Sequence, residues 1–577
     1  MKKQRSNEII LLYAMICVLL LLMLSRAFYL QIVKGNYYNE LSQYRSIRIF
    51  ETQPMRGRIL DRNGVVLAMD VPSYSVAIVA EDIKNEEKEF NLLSSIIDIP
   101  PGEIKKRLQE ANLPTYEEVL VKKDITDKER VEIEENWIEL PGIEIITTYK
   151  RYYPFNEVGA SFIGYIGPVT LEDIKADNFY DINDRIGKQG LELQYEKYLR
   201  GEKGKRVVLV DALGRVKKVI YESEPVPGDD IYLNIDIYVQ KNLETIVGDR
   251  RGVAIAMDPK TGGIIALVSR PTFNPNLFVN GISEKDYNFL LEQNAFINRA
   301  TQSRFPPGST FKPLTLITAL EKGIITPDTV IDCGPYVTIA GRNFKDWVYP
   351  SSFGRQTPSE ALANSSDVFF YKLGLMTGAA HIKAYSDLFQ LSKKTGIDLP
   401  FEIEGIVPSP QWKEEMFNEQ WYSGDTANMS IGQGFVSVTP IEVATFYQMI
   451  ANNGVELVPH FLLKIVSGEG ETVYEYKPEI RVKYTFKSST LKTVKDGLEG
   501  LSNKPDMQIL RVNGITVCSK TGTAEVGDKT GSVHHWLVSF APRENPAILG
   551  LLFFEYSTFP SSHALAPLMR DLLKNFF

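Results

Sequence analysis

The longest apolar run of the chain lies at its N-terminus. Residues Ile9 to Leu24 carry no charge, and Lys2, Lys3 and Arg5 precede them. Extended by the aromatic residues that follow, such a run is typical of a membrane-spanning helix whose basic flank stays in the cytoplasm. We therefore predict a cytoplasmic tail (1–8), a transmembrane anchor (9–30) and an extracytoplasmic remainder. The alternative is a cleaved signal peptide with a small-x-small site at residues 25–27, which would also export the rest of the chain.

Residues 31–230 alternate between charged, helix-prone stretches and short apolar strands. We predict a juxtamembrane helix over residues 31–48, two short strands around the Asn63-Gly64 turn, and a charged helical stretch from Glu81 to Glu139. No candidate catalytic cluster occurs here. Residues 49–230 are therefore predicted to form a non-catalytic, elongated α+β pedestal, with a binding domain for an unknown ligand as the alternative.

After a boundary near Pro225-Val226-Pro227-Gly228 the apolar positions become denser. Ile231 to Ile235 alternates as a strand does, Val239 to Val247 has helical periodicity, and two apolar runs flank the turn Asp258–Gly262 as in a hairpin. Residues 231–577 are therefore predicted to form one α/β (α+β) domain in which buried helices flank a sheet.

Composition narrows the function classes. A chain of 577 residues predicts several domains, and a formal charge of -8 without a basic stripe argues against nucleic acid as a partner. The three cysteines lie far apart and the five histidines form no zinc-type cluster, so we expect no disulfide framework, no metal and no cofactor. A metal site at Asp332, Cys333 and Asp346 is a disfavoured alternative because it lacks histidine.

The segment from Phe305 to Pro313 (Phe-Pro-Pro-Gly-Ser-Thr-Phe-Lys-Pro) is the strongest candidate for chemistry. Its Pro-Pro-Gly entry, and a proline tolerated only in a first helical turn, predict a helix that begins near Ser309. Ser309 and Lys312 then share one face, so that a neutral lysine can take the proton of the serine. The same spacing at Ser489 lacks this entry and is interpreted as structural. The alternative for Ser309 is a helix cap without chemistry.

Two further short patterns follow in the same predicted domain. Ser365 and Asp367 place a hydroxyl and a carboxylate between apolar flanks, and a predicted strand ends in Lys520-Thr521-Gly522-Thr523. A hydroxyl can relay a proton, a carboxylate can orient a lysine, and Lys-Thr-Gly offers a cation, a hydroxyl and close approach to the backbone. Each of the three patterns, at Ser309, Ser365 and Lys520, also occurs elsewhere in this chain. The functional inference therefore rests on the order in which they follow one another.

This order resembles that of penicillin-binding proteins and active-site serine β-lactamases. The chain is most similar to class B penicillin-binding proteins, and the resemblance extends to Arg56–Gly64 and to Ile431–Gly434. Asp367 stands where asparagine is usual. This aspartate, together with His535-Trp536 after the third motif, resembles the elongation-type branch, penicillin-binding protein 2. The division-type transpeptidase is the nearest alternative.

The resemblance implies a serine D,D-transpeptidase fold and a role for each catalytic candidate. Ser309 would attack the D-Ala-D-Ala carbonyl of a peptidoglycan stem peptide and form an acyl-enzyme. Lys312 would be its base, Ser365 the relay to the leaving amine, Asp367 a partner of lysine or substrate, and Lys520 part of the hydrogen-bond network.

The resemblance also implies how substrate is held. Thr521 and Gly522 would line the substrate strand, and Thr523 would bind the substrate carboxylate. The backbone N–H groups of Ser309 and Thr523 would form an oxyanion hole, in which each donor is worth about 3 kcal/mol.

The implied partners are peptidoglycan stem peptides as substrate, β-lactams as covalent inhibitors, and a SEDS-type glycosyltransferase with other elongation-complex proteins. The implied location is the cell (inner) membrane, as a single-pass protein. Four alternatives stay open beside the division-type enzyme: a β-lactamase, a β-lactam sensor, a catalytically weak scaffold that activates a glycosyltransferase, and D,D-carboxypeptidase side activity.

Overall fold

The computed structural model describes residues 2–34, 47–111, 115, 118–181, 184–210, 216–279, 281–526 and 531–577. The chain forms two compact units. The first comprises Met1–Met55, Pro72–Tyr149 and Gly201–Pro227, and the second comprises Arg56–Val71, Lys150–Arg200 and Gly228–Phe577. The mixed α/β class predicted from the sequence is confirmed.

The chain begins with the α-helix Lys2–Phe28, which continues into a π-helical turn, Tyr29–Val33. The segment Tyr13–Val33 is long and apolar enough to cross a membrane, with a mean hydropathy of 2.2, and it overlaps the predicted anchor. Of the predicted juxtamembrane helix, residues 35–46 lie outside the described residues. The prediction of a helix is wrong for residues 47 and 48. They belong to the strand Ile47–Thr52, whose backbone pairs with Gly204–Val210.

The first unit combines a small sheet with a separate helical layer. Its three-stranded antiparallel sheet has the order Ile47–Thr52, Gly204–Val210, Val216–Ser223. Elsewhere in the unit, the last residues of the strand Val66–Val79 pair with Glu118–Lys122. Apolar side chains of this pair share one core with the helices Glu86–Ile97, Pro101–Ala111 and Asp127–Glu135, and Ile143–Tyr152 is a further strand.

The second unit is built on a five-stranded antiparallel sheet. Its order is Ile264–Arg270, Gly252–Met257, Ile548–Phe554, Val533–Ala541, Cys518–Glu525, and the first two strands are the predicted hairpin. Side chains alternate between the two faces of a strand. Val253 and Ile255 accordingly join one apolar core, and Ala254 and Ala256 join another. Both faces are therefore buried, as in an α/β layered domain.

Helices cover both faces of this sheet. Ile237–Val247 and Ala566–Leu573 belong to one core, whereas Lys312–Glu321 and Pro440–Ala451 belong to the other. The remaining helices of this unit are Ala160–Ile163, Leu171–Ala176, Gly190–Gln194, Glu196–Leu199, Glu284–Glu292, Arg299–Gln302, Pro358–Asn364, Asp367–Thr377, Ala379–Leu388, Pro410–Phe417, Ser423–Ser430 and Ser488–Ser502.

Shorter strands complete the second unit. Ile59–Leu60 pairs antiparallel with the start of Val66–Val79 around the predicted Asn63-Gly64 turn, and parallel with Asp230–Leu233. The other strand pairs are Asp230–Leu233 with Leu462–Val466, Leu462–Val466 with Thr472–Glu475, Ile166–Pro168 with Arg185–Gly187, Ile331–Cys333 with Gly354–Gln356, Tyr336–Ile339 with Arg342–Lys345, and Val455–Leu457 with Ile480–Lys483.

Buried charges join residues 56–71 to residues 150–200 within the second unit. Arg56 Nε lies 2.7 Å from Glu192 Oε2, and its Nη2 lies 2.6 Å from Glu196 Oε2. Arg151 Nε lies 2.7 Å from Glu192 Oε1, and its Nη1 lies 3.3 Å from Asp70 Oδ1. A buried charge needs such partners. The compact units therefore do not follow a single cut near residue 230.

Candidate active site

Ser309 lies in a short 3-10 turn, Gly308–Phe311, that runs directly into the α-helix Lys312–Glu321. Pro313 occupies the first helical turn, where its missing N–H costs no hydrogen bond, as the sequence predicts. Ser309 lines a cleft of about 1200 Å³, and Lys312 is fully buried. Because the helix is buried up to Leu320, the turn that carries the candidate nucleophile adjoins a rigid core element.

The side chain of Lys312 has three oxygen partners. Its Nζ lies 2.7 Å from Asp367 Oδ1, 2.7 Å from the backbone oxygen of Ser365 and 3.2 Å from Ser365 Oγ. The carboxylate and the carbonyl only accept hydrogen bonds, whereas the hydroxyl also donates. A neutral amine has two N–H groups for the two acceptors and a lone pair for a hydroxyl. Lys312 can therefore lose a proton without leaving either acceptor unpaired.

Lys520 contacts the same hydroxyl. Its Nζ lies 2.9 Å from Ser365 Oγ and 3.0 Å from the backbone oxygen of Thr521. Complete burial lowers the pKa of Lys520 well below its ordinary value of 10.5, and the positive charges of Lys312 and Lys504 lower it further. Ser365 is thus hydrogen-bonded to two amines, one of which releases its proton readily. That arrangement suits a hydroxyl that passes a proton on.

A buried carboxylate holds the turn that carries Ser365. Ser365 adopts the left-handed conformation (φ 55°) after one helix, and Asp367 opens the next. Asp346, which is 3% exposed, accepts hydrogen bonds through one oxygen from Ser366 Oγ at 2.7 Å and from the backbone N–H of Val368 at 3.0 Å. The sequence marks Asp346 only as a disfavoured metal candidate, because no local pattern links it to this turn.

The third motif lies on the strand Cys518–Glu525, at the edge of the sheet. Thr521 and Thr523 line the cleft. A Cβ atom at Gly522 would lie 2.9 Å from the carbonyl oxygen of Pro307. Glycine therefore allows the strand to approach the turn of Ser309.

The Ile431–Gly434 segment connects the serine turn to the edge strand. Gly432 has φ 70°, and its carbonyl oxygen accepts a hydrogen bond from the backbone N–H of Gly308 at 3.0 Å. A Cβ at Gly432 would lie 2.4 Å from the carbonyl oxygen of Gly308, so glycine is required by both space and backbone conformation. Gln433 Nε2 donates to the backbone oxygen of Thr523 at 3.4 Å.

The structure brings the residues predicted from the three motifs together. Ser309, Ser365, Asp367, Thr521 and Thr523 line one cleft; Lys312 and Lys520 meet at Ser365, and Gly522 packs against the serine turn. Further cleft residues stand outside the motifs, so no sequence signal marked them. These are Lys345, Trp347, Tyr371, Asn428, Lys504, Asp506, Glu525, Ser561, Ser562 and His563.

Known sequences match both parts of the chain. Residues 252–574 match the family described as penicillin binding protein transpeptidase domain, and residues 51–233 match the penicillin-binding protein dimerisation domain. The peptidoglycan D,D-transpeptidase MrdA of Escherichia coli (strain K12) is 32% identical over 592 residues, which cover 97% of this chain and 93% of that protein. The protein of the same name from Acinetobacter baumannii is 31% identical and covers 96% and 85%.

Solved structures agree with the sequence comparison. The complex between penicillin-binding protein 2 and MreC from Helicobacter pylori superposes with a TM-score of 0.82 at 27% identity, covering 92% of this chain and 98% of that one. Penicillin-binding protein 2 of Pseudomonas aeruginosa, in complex with WCK 5153, superposes with a TM-score of 0.69 at 26% identity, covering 91% and 96%.

Proposed function

Because the chain belongs to the penicillin-binding protein transpeptidase family, we propose that it cross-links peptidoglycan stem peptides by D,D-transpeptidation through an acyl-enzyme on Ser309. The observation that carries this proposal is the meeting of Lys312 and Lys520 at Ser365 Oγ, with Asp367 bound to Lys312, in the cleft that Ser309 lines. The near full-length similarity to MrdA proteins supports a role in cell-wall elongation and in the maintenance of cell shape.

The first half-reaction forms the acyl-enzyme. Ser309 Oγ attacks the carbonyl carbon between the two D-alanines, and its proton passes to neutral Lys312. The C–N bond then breaks, and the terminal D-alanine leaves as its amine after taking up a proton. Ser365, with hydrogen bonds to Lys312 and Lys520, relays that proton from the lysine to the leaving nitrogen.

The edge strand holds the substrate during this step. We assign the substrate carboxylate to Thr523, which lines the cleft with Ser562 Oγ 3.3 Å from its hydroxyl. Thr521 and Gly522 face the extended peptide along the strand edge. The backbone N–H groups of Ser309 and Thr523 stabilise the oxyanion, and such donors are worth about 3 kcal/mol each.

The second half-reaction releases the acyl group. An amine of a neighbouring stem peptide attacks the ester carbonyl, Ser309 regains its proton, and a new amide bond joins the two peptides. Water in place of that amine gives D,D-carboxypeptidase side activity. A β-lactam acylates Ser309 in the same way and persists as an ester.

The N-terminal helix anchors the enzyme in the membrane. We place residues 1–8, with Lys2, Lys3 and Arg5, in the cytoplasm and the catalytic part outside the inner membrane, because basic flanks stay on the cytoplasmic side. Residues 49–230 serve as the pedestal and residues 231–577 as the transpeptidase, with residues 56–71 and 150–200 of the pedestal packed in the compact unit of the transpeptidase. The family implies a SEDS-type glycosyltransferase and elongation-complex proteins as partners, and the MreC complex of the Helicobacter pylori protein supports the second of these.

The test is to reconstitute cross-linking. Full-length protein in detergent or liposomes is mixed with uncross-linked peptidoglycan polymer, and the products are digested and resolved by mass spectrometry. Wild type should yield cross-linked dimers with loss of D-alanine, and Ser309→Ala should yield neither. The matched control Ser489→Ala, at the second Ser-x-x-Lys spacing, should behave as wild type. Cross-linked dimers or released D-alanine in the Ser309→Ala reaction would contradict the assignment of Ser309 as the nucleophile.

A further inference from the structure

A groove of about 570 Å³ in the second unit carries an excess of positive charge. Arg251, Arg299 and Arg304 line it, and Glu555 is the one acidic side chain among the described residues of its walls. The other walls are neutral and include Asn294, Ile297, Phe305, Ile403, Ile406 and Ser437.

One carboxylate oxygen is shared by two of these guanidinium groups. Glu555 Oε2 lies 3.0 Å from Arg299 Nε and 3.4 Å from Arg251 Nε. Arg299 is only 3% exposed, and this burial lowers its pKa. The positive charge of Arg251 lowers that pKa further, whereas the carboxylate of Glu555 raises it. Arg304 is exposed and has no ion pair or side-chain hydrogen bond within the described parts of the chain. The positive charge at this groove is therefore not neutralised by the protein.

The other buried arginine cluster of this unit shows the contrast. There, Arg56 and Arg151 contact three carboxylates, those of Glu192, Glu196 and Asp70. Burial alone would lower the pKa of both arginines, yet the carboxylates raise it above the ordinary value. In that cluster the carboxylates outnumber the arginines, whereas at the groove the arginines outnumber the one carboxylate.

We propose that the groove is a second binding site of the protein, for a ligand that carries an oxyanion, either a carboxylate or a phosphate. Guanidinium groups bind both in a planar, two-pronged geometry, and an incoming anion would balance the charge left over by Glu555. Phe305 lines the groove, whereas Pro306 and Ser309 line the catalytic cleft. The bound anion therefore lies beside the segment that carries the candidate nucleophile, and its binding does not require acylation of Ser309.

The experiment titrates full-length protein in detergent with two probes by isothermal calorimetry. N-acetyl-D-glutamate carries only carboxylates and stands for a peptide source, and inorganic pyrophosphate carries only phosphates and stands for a lipid-linked or free phosphate source. Potassium chloride at matched ionic strength corrects for general salt effects. Arg251→Gln with Arg304→Gln is the test variant. Arg355→Gln, another exposed arginine without a side-chain partner in the described chain, is the control.

We expect saturable one-to-one binding of at least one probe, weakened about tenfold or more in the double variant, since each lost charge-assisted contact is strong. Binding should be unchanged in Arg355→Gln. Saturation by the carboxylate probe alone assigns the site to a peptide, and saturation by pyrophosphate alone assigns it to a phosphate. Binding no stronger than that of chloride, or equal binding by the double variant, would overturn the proposal. Penicillin labelling of the double variant is measured in parallel. Labelling reports on the proposed transpeptidase activity at Ser309, and calorimetry reports on the groove, so a failure of one is distinguishable from a failure of the other.

Discussion

Replacing Asp346 with alanine tests whether a carboxylate outside the three motifs positions Ser365 and Asp367. The change removes the hydrogen bonds from Ser366 Oγ (2.7 Å) and from the Val368 N–H (3.0 Å). Bonds to a charged group contribute about 1.5–3 kcal/mol each, and the second Asp346 oxygen, buried without a partner in the described chain, offsets about 1–3 kcal/mol. The free energy of unfolding should therefore fall by about 2.5 kcal/mol, within a range of about 0–5 kcal/mol.

Acylation should slow about 100-fold, or about 2.7 kcal/mol in activation free energy, because a shift of about 1 Å in the turn can cost that much in rate. The assay measures the second-order rate constant for labelling by a fluorescent penicillin, beside thermal melting of the same samples. Asp346→Asn is the matched control. Its amide oxygen replaces the oxygen that accepts both bonds, so its rate should stay within about tenfold of wild type. Wild-type labelling of Asp346→Ala, or equal damage in both variants, would refute the positioning role.

Three further changes test other contacts. Gly432→Ala places a Cβ 2.4 Å from the carbonyl oxygen of the residue before the nucleophile and should slow acylation about 100-fold, whereas Gly470→Ala, also at positive φ but in open space, should leave the rate unchanged. Lys504→Met removes a cation that lowers the pKa of Lys520, so the NMR titration of Lys520 Cε should move to higher pH; an unmoved titration would exclude the coupling. The gain in stability as pH rises toward the unfolded lysine pKa of about 10.4 should shrink in the same variant. Glu192→Gln leaves the buried guanidinium groups of Arg56 and Arg151 short of a counter-charge, so the free energy of unfolding in denaturant should fall by about 3–5 kcal/mol. A stability equal to wild type would contradict the stabilising role of these ion pairs.

Local patterns explain which parts of the fold were predictable. The helix after Ser309 is encoded within nine residues by its proline-rich entry, its first-turn proline and its apolar run, and the structure has it at that place. The hairpin around Asp258–Gly262 is likewise a matter of neighbouring residues. By contrast, residues 47 and 48 joined a strand because a partner strand some 160 residues later was available, which no local periodicity reveals.

Long-range electrostatics account for what the sequence could not predict. Lys520 and Ser365 are 155 residues apart, and their contact was expected only through the family resemblance. Asp346 has no motif of its own and acquires its role from a turn that folds onto it. Arg56 and Glu192 are 136 residues apart, and such charged residues are normally exposed, so neither suggests a shared interior. The role of each of these residues depends on which distant residue it contacts in the fold, and its residue type alone does not indicate that.

The most direct test of Ser309 as the nucleophile is covalent labelling of the purified full-length protein with penicillin, followed by proteolysis and mass spectrometry. Wild type should carry the penicilloyl group on the peptide that contains Ser309, the adduct should persist for hours, and Ser309→Ala should carry none. Rapid loss of the adduct would indicate a β-lactamase. No adduct on folded wild type, or the same adduct on Ser309→Ala, would contradict the serine transpeptidase mechanism.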